Sequence, residues 1–386
     1  MDSPVGKNVR MFRMAHSMTQ EGLAAQSGLS LSSIRNIEHG LQMPRARALS
    51  AISHALNEPL HALVREPKVL NNVYFQSERP LKKRDWILNE TAIWLKQYTN
   101  LEGLLNQRSS DVFEQRSVEA RLSSNGAWHE AMRHILELQP QEPVDDLCGR
   151  LENAGIKVLG LAVESSSFHG LAVGTEDGGP AIVLNTHASL PVERWVFDAA
   201  RLFAHVCRNP AAPQAGAATQ EDVERIEREA CEFAGLLLAP SEALVYHWGQ
   251  LDGLGLADRI LKMKRRFRVS WKLVIARLEE EGLVSNEADE LFAGIFRETY
   301  GKSLVNGKEQ ETRCPASRYC VSMTRNEPFG MEAVDFMPKE MRRLVRMALE
   351  RELITVSRAA EYTGISLQAM RERIRTWHAA EPAALG

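Results

Sequence analysis

The segment spanning residues 19–40 constrains the fold most, because its spacing predicts two short helices joined by a tight turn. Thr19 is a suitable N-cap for the first helix. Gly28 can form the turn, since glycine adopts backbone angles that other residues avoid. Ser30 can cap the second helix, and Gly40 ends it. The segment therefore predicts a helix-turn-helix.

The second of these helices has one apolar face. Ile34 and Ile37 lie three residues apart and share the side that we expect to be buried. The residues expected to lie partly or wholly outward are Leu31, Ser32, Ser33, Arg35 and Asn36. An ordinary helical hairpin is the alternative interpretation. A basic helix before the segment and two helices after it favour a complete five-helix domain instead.

The residues of this segment also follow a known family pattern. The matching positions are Thr19, Gln20, Leu23, Ala24, Ser27, Gly28, Ser30, Ile34, Ile37, Glu38 and Gly40. In these positions the chain resembles the lambda-repressor/Cro (Xre) family of helix-turn-helix domains. The resemblance implies that residues 1–65 form a domain that binds double-stranded DNA.

Two kinds of DNA contact are expected from this domain. Phosphates would be contacted by Arg13, Gln20, Arg45 and the N-terminus of the second helix, which fix orientation without reading sequence. Bases would be read in the major groove by Leu31, Ser32, Ser33, Arg35 and Asn36. A homodimer on a near-palindromic operator is expected, because one short helix reads too few base pairs to be selective.

Length and composition indicate a multidomain protein. The chain has 386 residues, of which 44% are hydrophobic and 25% charged, as in ordinary soluble proteins. No apolar run is long enough for a membrane span and no apolar signal region is evident, so we expect a cytoplasmic protein. Five cysteines favour reduced thiols over a disulfide framework. The net charge is −3, but residues 1–65 carry seven Lys and Arg against four Asp and Glu.

Residues 66–125 are expected to connect the first domain to the next. Apolar residues recur at helical spacing from Trp86 to Leu105, which predicts an amphipathic helix that packs on the second domain or pairs in a dimer. The polar residues that follow, up to about Gly126, are predicted to form a mobile linker.

Residues 126–290 are predicted to form an α+β domain. His129 and His134 flank a glutamate-containing turn, but they are five residues apart and not the four that zinc-binding helices need, so we expect them on the surface. Three short strands follow in residues 156–186, and then two long helices. Helix, small sheet and two helices is the order of a zincin-like metallopeptidase.

The two long helices resemble those of the ImmA/IrrE metallopeptidase family. The matching text is VFDAARLFAH, at residues 196–205, and IEREACEFAGLLLAP. The resemblance places Arg201 at the first zinc histidine, Leu202 at the catalytic glutamate, His205 at the second histidine and Glu227 at the third ligand.

The residues at these vestigial metal-site positions do not suit zinc hydrolysis, which needs three protein ligands and a carboxylate base. Arginine cannot ligate a metal, and Arg201 could instead pair with Glu227. We therefore expect a pseudo-peptidase with no catalytic residues, no metal and no cofactor, in which His205 is a packed helical histidine. A metal site rebuilt from Cys207 and Cys231 is the weaker alternative.

Residues 291–386 are predicted to be a helical C-terminal region. Cys314 and Cys320 do not have the paired spacing of a zinc ribbon. Thr355, Gly364 and Ser366 predict a possible second helix-turn-helix with Gln368, Arg371 and Arg375 exposed. These helices could instead close the core or make a dimer contact.

The expected fold class is mainly α with a small β-sheet. The expected function is that of a transcriptional regulator, with repression as the preferred role. Its peptidase-like domain would serve as a sensor of a small-molecule or protein effector, or as an assembly domain. The alternatives are a metallopeptidase that cleaves a repressor protein and an interaction scaffold of a phage or toxin-antitoxin system.

Overall fold

The computed structural model describes residues 4–77, 80–123, 128–165, 167–208, 219–304 and 327–380. The chain divides into two compact units. The first contains residues 1–71 and 77–96, and the second contains residues 72–76 and 97–386. In the part of the chain that the structure describes, no helix is both long and apolar enough to cross a membrane.

Five short helices open the first unit, as the sequence predicts. They are α1 (Pro4–Ala15), α2 (Gln20–Ser27), α3 (Leu31–Glu38), α4 (Ala46–Leu56) and α5 (Leu60–Val64). Their core is built from Val9, Phe12, Leu23, Ile34 and Ile37, all almost fully buried. Burial of large apolar side chains on several sides stabilises helices that would be too short to persist alone.

The turn between α2 and α3 has the caps that its sequence predicts. Thr19 Oγ1 accepts a hydrogen bond from the Gly22 N–H at 3.0 Å, and Ser30 Oγ accepts one from the Ser33 N–H at 3.1 Å. Gly28 lies between them with φ of +68°, in the left-handed region that favours glycine. Local side-chain chemistry therefore fixes where each helix begins and ends.

The segment after the first five helices contains a strand and two helices, β1 (Val73–Ser77), α6 (Arg84–Leu105) and α7 (Ser109–Ser123). The amphipathic helix up to Leu105 is confirmed. The expectation of a mobile linker is wrong for residues 109–123, which form α7. The Glu102 side chain accepts hydrogen bonds from the N–H and the hydroxyl of Ser109, which anchors the start of that helix. The Glu, Gln and Arg residues of α7 are polar, but they and its alanine are good helix formers.

The second unit is built on a four-stranded sheet. The elements along the chain are α8 (Trp128–Ile135), α9 (Leu147–Asn153), β2 (Lys157–Leu161), β3 (Phe168–Val173), β4 (Ala181–Asn185), α10 (Val192–Arg208) and α11 (Gln220–Leu238). The strand order is β1-β3-β4-β2, with β2 parallel and β3 antiparallel to β4. Every residue of β3 and β4 is buried, and α10 packs on both strands.

Seven helices complete the described chain. They are α12 (Ser241–Gly249), α13 (Leu256–Phe267), α14 (Trp271–Glu280), α15 (Ala288–Tyr300), α16 (Glu340–Glu350), α17 (Val356–Thr363) and α18 (Leu367–Ala380). Cys314 and Cys320 lie outside the described residues. On α8, Glu130 and His134 are exposed, as expected. The side chain of His129 lies outside the described part of the structure.

Candidate functional site

The exposed side of α3 carries the residues that the sequence assigns to base readout. Ser32, Arg35 and Asn36 are exposed. Leu31 and Ser33 are half-buried at the first turn of the helix, and the hydroxyl of Ser33 bonds to that of Ser30 at 2.8 Å. The structure therefore places all five predicted side chains along one helix whose opposite face is packed in the core.

Glu38, at the end of α3, is held by two residues that were assigned to phosphates. Arg13 donates from Nε at 2.6 Å and from Nη2 at 2.9 Å to the carboxylate, and Gln20 Nε2 donates to it at 2.7 Å. The side chain of Arg13 is only 12% exposed. These bonds fix the end of α3 against α1 and α2. Arg45, in contrast, is exposed where α4 begins.

A second set of polar residues lies on α10, in the other unit. All residues from Val192 to Val206 are buried, yet Arg194, Asp198, Arg201 and His205 recur at three- and four-residue spacing. They therefore form one buried polar stripe on an apolar helix. Asp198 accepts from Arg194 Nε at 2.7 Å and from Arg201 Nη2 at 2.5 Å.

Glu227 of α11 faces this stripe. Its Oε2 lies 3.4 Å from Arg201 Nη1, so the ion pair anticipated from the sequence is present. Its Oε1 lies 2.8 Å from His205 Nε2, although off the direction of a hydrogen bond. The pairing of two guanidinium groups, those of Arg194 and Arg201, with the carboxylates of Asp198 and Glu227 balances the buried charge.

Strand β1 supplies two residues that the sequence analysis missed. Tyr74 and Gln76 are two apart and therefore share one face of the strand. The Tyr74 hydroxyl donates to Glu227 Oε1, and Gln76 Nε2 donates to Glu227 Oε2 at 2.9 Å. The Tyr74 ring also stacks on the His205 imidazole, with ring centroids 3.7 Å apart and planes 15° apart. Tyr74 thus covers one face of the His205 ring and bonds to the carboxylate of Glu227.

Burial and neighbouring charges set the protonation of this cluster. Burial raises the pKa of Glu227, but the close contact with His205, the charge of Arg201 and the hydrogen bond from Tyr74 outweigh it and lower that pKa to about 2. Burial lowers the pKa of His205, and burial and Glu227 together raise that of Tyr74. At neutral pH the cluster therefore holds a carboxylate, a neutral imidazole and a phenol that keeps its proton.

The residues at the four positions that the sequence aligns with a zinc site do not have the chemistry to hold zinc. Arg201 carries a positive charge and Leu202 is apolar, which leaves only His205 and Glu227 with ligating atoms. Leu202 packs so closely on Gly170 of β3 that a Cβ atom on Gly170 would lie 2.6 Å from Leu202 Cδ1. Among the described residues, no three or more His, Cys, Asp and Glu side chains are grouped to hold a metal ion.

The comparisons with known families agree with both parts of this geometry. Residues 9–63 match the family model described as helix-turn-helix, and residues 151–279 match the one described as IrrE N-terminal-like domain. The chain joins these two kinds of domain. The first is a DNA-binding domain of the Xre type, and the second is ImmA/IrrE-like. Searches of curated proteins and of solved structures found no match.

The IrrE N-terminal-like match covers α10 and α11, which carry Arg201, Leu202, His205 and Glu227. The match covers these positions without assigning them roles, so their correspondence to a zinc site stays a prediction from the spacing of the two helices. The sequence did not reveal Asp198 or the strand residue Tyr74. The recurrence of charges on the apolar helix α10 was the available signal for Asp198. Cys231 is buried and Cys207 half-buried, and within the described residues no group of three or more possible ligands that includes them could hold a metal ion.

Proposed function

We propose that this protein is a transcriptional repressor that binds a near-palindromic operator as a homodimer, through α3. The observation that supports it is the division of α3 into a buried apolar face, made by Ile34 and Ile37, and an exposed polar one. A second helix presented in this way on a rigid head is the part of a helix-turn-helix that enters the major groove.

Base readout rests on Arg35 and Asn36, whose side chains can each make two hydrogen bonds to a base edge. Arg35 Nη2 lies 3.6 Å from Glu21 Oε1, and both side chains are more than half exposed. Such surface pairs are weak, so DNA can replace Glu21 as the partner of Arg35. Ser32 and Ser33 would contact the same groove, and Leu31 a thymine methyl group.

Phosphate contacts are assigned first to Arg45, which is exposed at the start of α4. Arg13 and Gln20 also remain candidates for phosphate contacts, through the N–H groups that do not bond to Glu38. Their stronger role in this proposal is to hold α3 at a fixed angle, because their bonds to Glu38 join three helices. Precise placement of a reading helix depends on such supporting contacts.

The ImmA/IrrE-like domain is proposed to be catalytically inactive and to act as a sensor or assembly domain. Arginine and leucine support this proposal chemically, because Arg201 stands where the family would have a zinc ligand and Leu202 where it would have the base that activates water. An active metallopeptidase is the rival proposal. Stoichiometric zinc in the purified protein that is lost on His205→Ala, or chelator-sensitive cleavage of a protein substrate, would favour that rival.

The operator-binding proposal is tested by Asn36→Ala and Arg35→Ala in the full chain, with an operator recovered by genomic pull-down and footprinting. Each good bidentate base contact contributes roughly 1–3 kcal/mol, so each variant should weaken operator binding by about 5- to 150-fold. Asn100→Ala, at an exposed position of α6, is the matched control and should bind as the parent does. Unchanged binding by both α3 variants would contradict the assignment, and unchanged thermal unfolding excludes misfolding as the cause of a loss.

A further inference from the structure

The C-terminal helices α17 and α18 repeat the local structure of α2 and α3. Thr355 Oγ1 accepts from the Arg358 N–H at 3.2 Å, as Thr19 Oγ1 does at the start of α2. Gly364 ends α17 with φ of +64°, close to the +68° of Gly28. Ser366 Oγ then accepts from the Ala369 N–H at 3.1 Å, in the manner of the second cap in the first domain.

The equivalence extends through the turn itself at constant spacing. In the first motif, Ser27 Oγ bonds to the carbonyl four residues earlier at 2.6 Å, and in the second Thr363 Oγ1 does so at 2.8 Å. The residues after the two turn glycines, Leu29 and Ile365, each donate their N–H to the carbonyl five residues earlier at 3.1 Å. In both motifs the turn is therefore closed by the same backbone and side-chain bonds.

The apolar positions also correspond. Ala359, Ala360 and Met370 are buried, as are Leu23, Ala24 and Ile34 at the equivalent positions. In the first motif, a hydrogen bond between Gln20 and Glu38 joins α2 to α3. The second motif has an apolar residue at both equivalent positions, Val356 and Ile374. Both apolar residues are half-buried, and the motif keeps its caps and turn without that hydrogen bond.

The outward face of α18 is polar and basic. Gln368, Arg371, Glu372 and Arg375 are exposed, and they stand at the places of Ser32, Arg35, Asn36 and His39 in α3. Gln368 Nε2 donates to Glu372 Oε1 at 3.2 Å, an exposed contact that water or a base could replace. Residues 338–377 contain nine Lys and Arg against five Asp and Glu, although the whole chain is net negative.

We propose that α17 and α18 form a second DNA-binding helix-turn-helix, with α18 entering the major groove of double-stranded DNA. Arg371 and Gln368 have the donor geometry for guanine and adenine edges respectively, and Glu372 can accept from a cytosine amino group. Arg375, farther along the exposed face, is assigned to the phosphate backbone. This site is separate from α3 and does not depend on the operator proposed for the first domain.

Two other roles for α18 fit the structure less well. A helix that closes a core would present apolar side chains, whereas this face presents two arginines, a glutamine and a glutamate. A symmetric dimer that paired this face with its own copy would bring together two arginines and one glutamate from each copy, which leaves positive charge without a partner. The DNA duplex instead supplies a dense row of negative charges to the same face.

The test removes readout by α3 and asks what the remaining chain selects. The full chain carrying Arg35→Ala and Asn36→Ala is used to select from a pool of duplexes of about 40 base pairs with a random centre, long enough for several half-sites. The expected result is an enriched sequence motif. Adding Arg371→Ala should reduce affinity for the selected duplex by about 10-fold or more.

Two further variants separate base readout from charge. Arg371→Lys keeps the charge but loses the bidentate hydrogen bonding to a base. This variant should therefore lose its preference for the selected sequence, while the salt dependence of its DNA affinity stays unchanged. Arg297→Ala, an exposed arginine of α15, is the control for removal of a charge and should have no effect. The absence of an enriched motif, a selected duplex whose binding ignores Arg371→Ala, or a change in oligomeric state alone would overturn the proposal. Retained operator binding by the parent chain in any of these cases leaves the α3 proposal standing.

Discussion

Arg201 places one positive charge inside a buried cluster of carboxylates. Its guanidinium lies between the carboxylates of Asp198 and Glu227, and only 2% of its side chain is exposed. Buried carboxylates are stable only when a cation or several hydrogen-bond donors compensate for the loss of water. The positive charge at this position therefore compensates for the burial of the two carboxylates.

Replacing this arginine by an uncharged side chain of similar length should destabilise the second unit. Arg201→Met leaves the two carboxylates with fewer partners, so we expect a loss of roughly 2–4 kcal/mol in urea unfolding. The deficit should shrink as pH falls, since protonation removes the uncompensated charges. Arg225→Met, in an exposed pair on α11, is the control and should leave stability unchanged. Equal stability of Arg201→Met and the parent would show that the carboxylates do not need this charge.

Glu327 lies in a second buried charge cluster. Lys264 Nζ is 2.5 Å from Glu193 Oε1 and 3.6 Å from Glu327 Oε2, so two carboxylates share one ammonium group. Met331 adds a backbone N–H bond to Glu193 at 2.9 Å. Burial, and then repulsion from Glu193, outweigh the attraction of Lys264 and raise the pKa of Glu327 to about 7.

This raised pKa predicts a pH dependence of stability. The folded state holds the Glu327 proton more tightly than the unfolded state, so its contribution is complete below the ordinary pKa of 4.5 and is lost as pH rises through about 7. We expect a fall of roughly 1–3 kcal/mol in the free energy of unfolding across that range. Glu327→Gln, which cannot ionise, should remove most of this slope, whereas the exposed control Glu298→Gln should keep it. An unchanged slope in Glu327→Gln would locate the titration elsewhere.

At the scale of elements, the turn between α2 and α3 depends on one left-handed residue. A Cβ atom at Gly28 would meet no atom within 4 Å, so the effect of Gly28→Ala comes from backbone conformation alone. We expect this variant to lower the stability of the first unit by about 1 kcal/mol in thermal or urea unfolding. Gly294→Ala is the matched control, because Gly294 is also unobstructed but lies inside α15, where alanine should stabilise by about 0.5–1 kcal/mol. The same substitution, glycine to alanine, should thus lower stability at position 28 and raise it at position 294.

The elements that could be predicted from the sequence are those whose ends are fixed locally. Thr19, Gly28 and Ser30 mark α2 and α3 by capping chemistry, and the alternation of apolar residues marks β2, β3 and β4. Strand β1 lacks such a signal, because its place is set by pairing with β3, far along the chain. The start of α7 at Ser109 likewise depends on Glu102, a residue of another helix.

The candidate sites were predictable to different extents for the same reason. Arg35 and Asn36 are exposed because of the period of a single helix, which the sequence displays. The ion pair of Arg201 with Glu227 followed from the spacing of a known family. The stacking of Tyr74 on His205 joins β1 to α10, and the sequence contains no local pattern for such a contact.

At the scale of the whole molecule, positive charge is concentrated at the helix-turn-helix segments of a chain with net charge −3. The residues outside these segments carry a net negative charge and repel the phosphates of nucleic acid, whereas the basic segments attract them. Selective binding then depends on how many reading helices contact the DNA at once, since each one reads only a few base pairs. The proposed dimer would provide this selectivity by presenting two copies of α3 on one face of the duplex.

The spacing of operator half-sites tests this arrangement in the full chain. Reading helices of a two-fold dimer contact successive major grooves, about one helical turn of 10–10.5 base pairs apart. An insertion of about 5 base pairs between the half-sites turns one of them to the opposite face of the duplex. Such an operator should bind at least about 10-fold more weakly in mobility-shift titrations, whereas an insertion of about 10 base pairs restores the facing and recovers part of the affinity. Affinity that ignores both insertions would mean that each protomer binds alone, and the dimer would then not contribute to operator recognition.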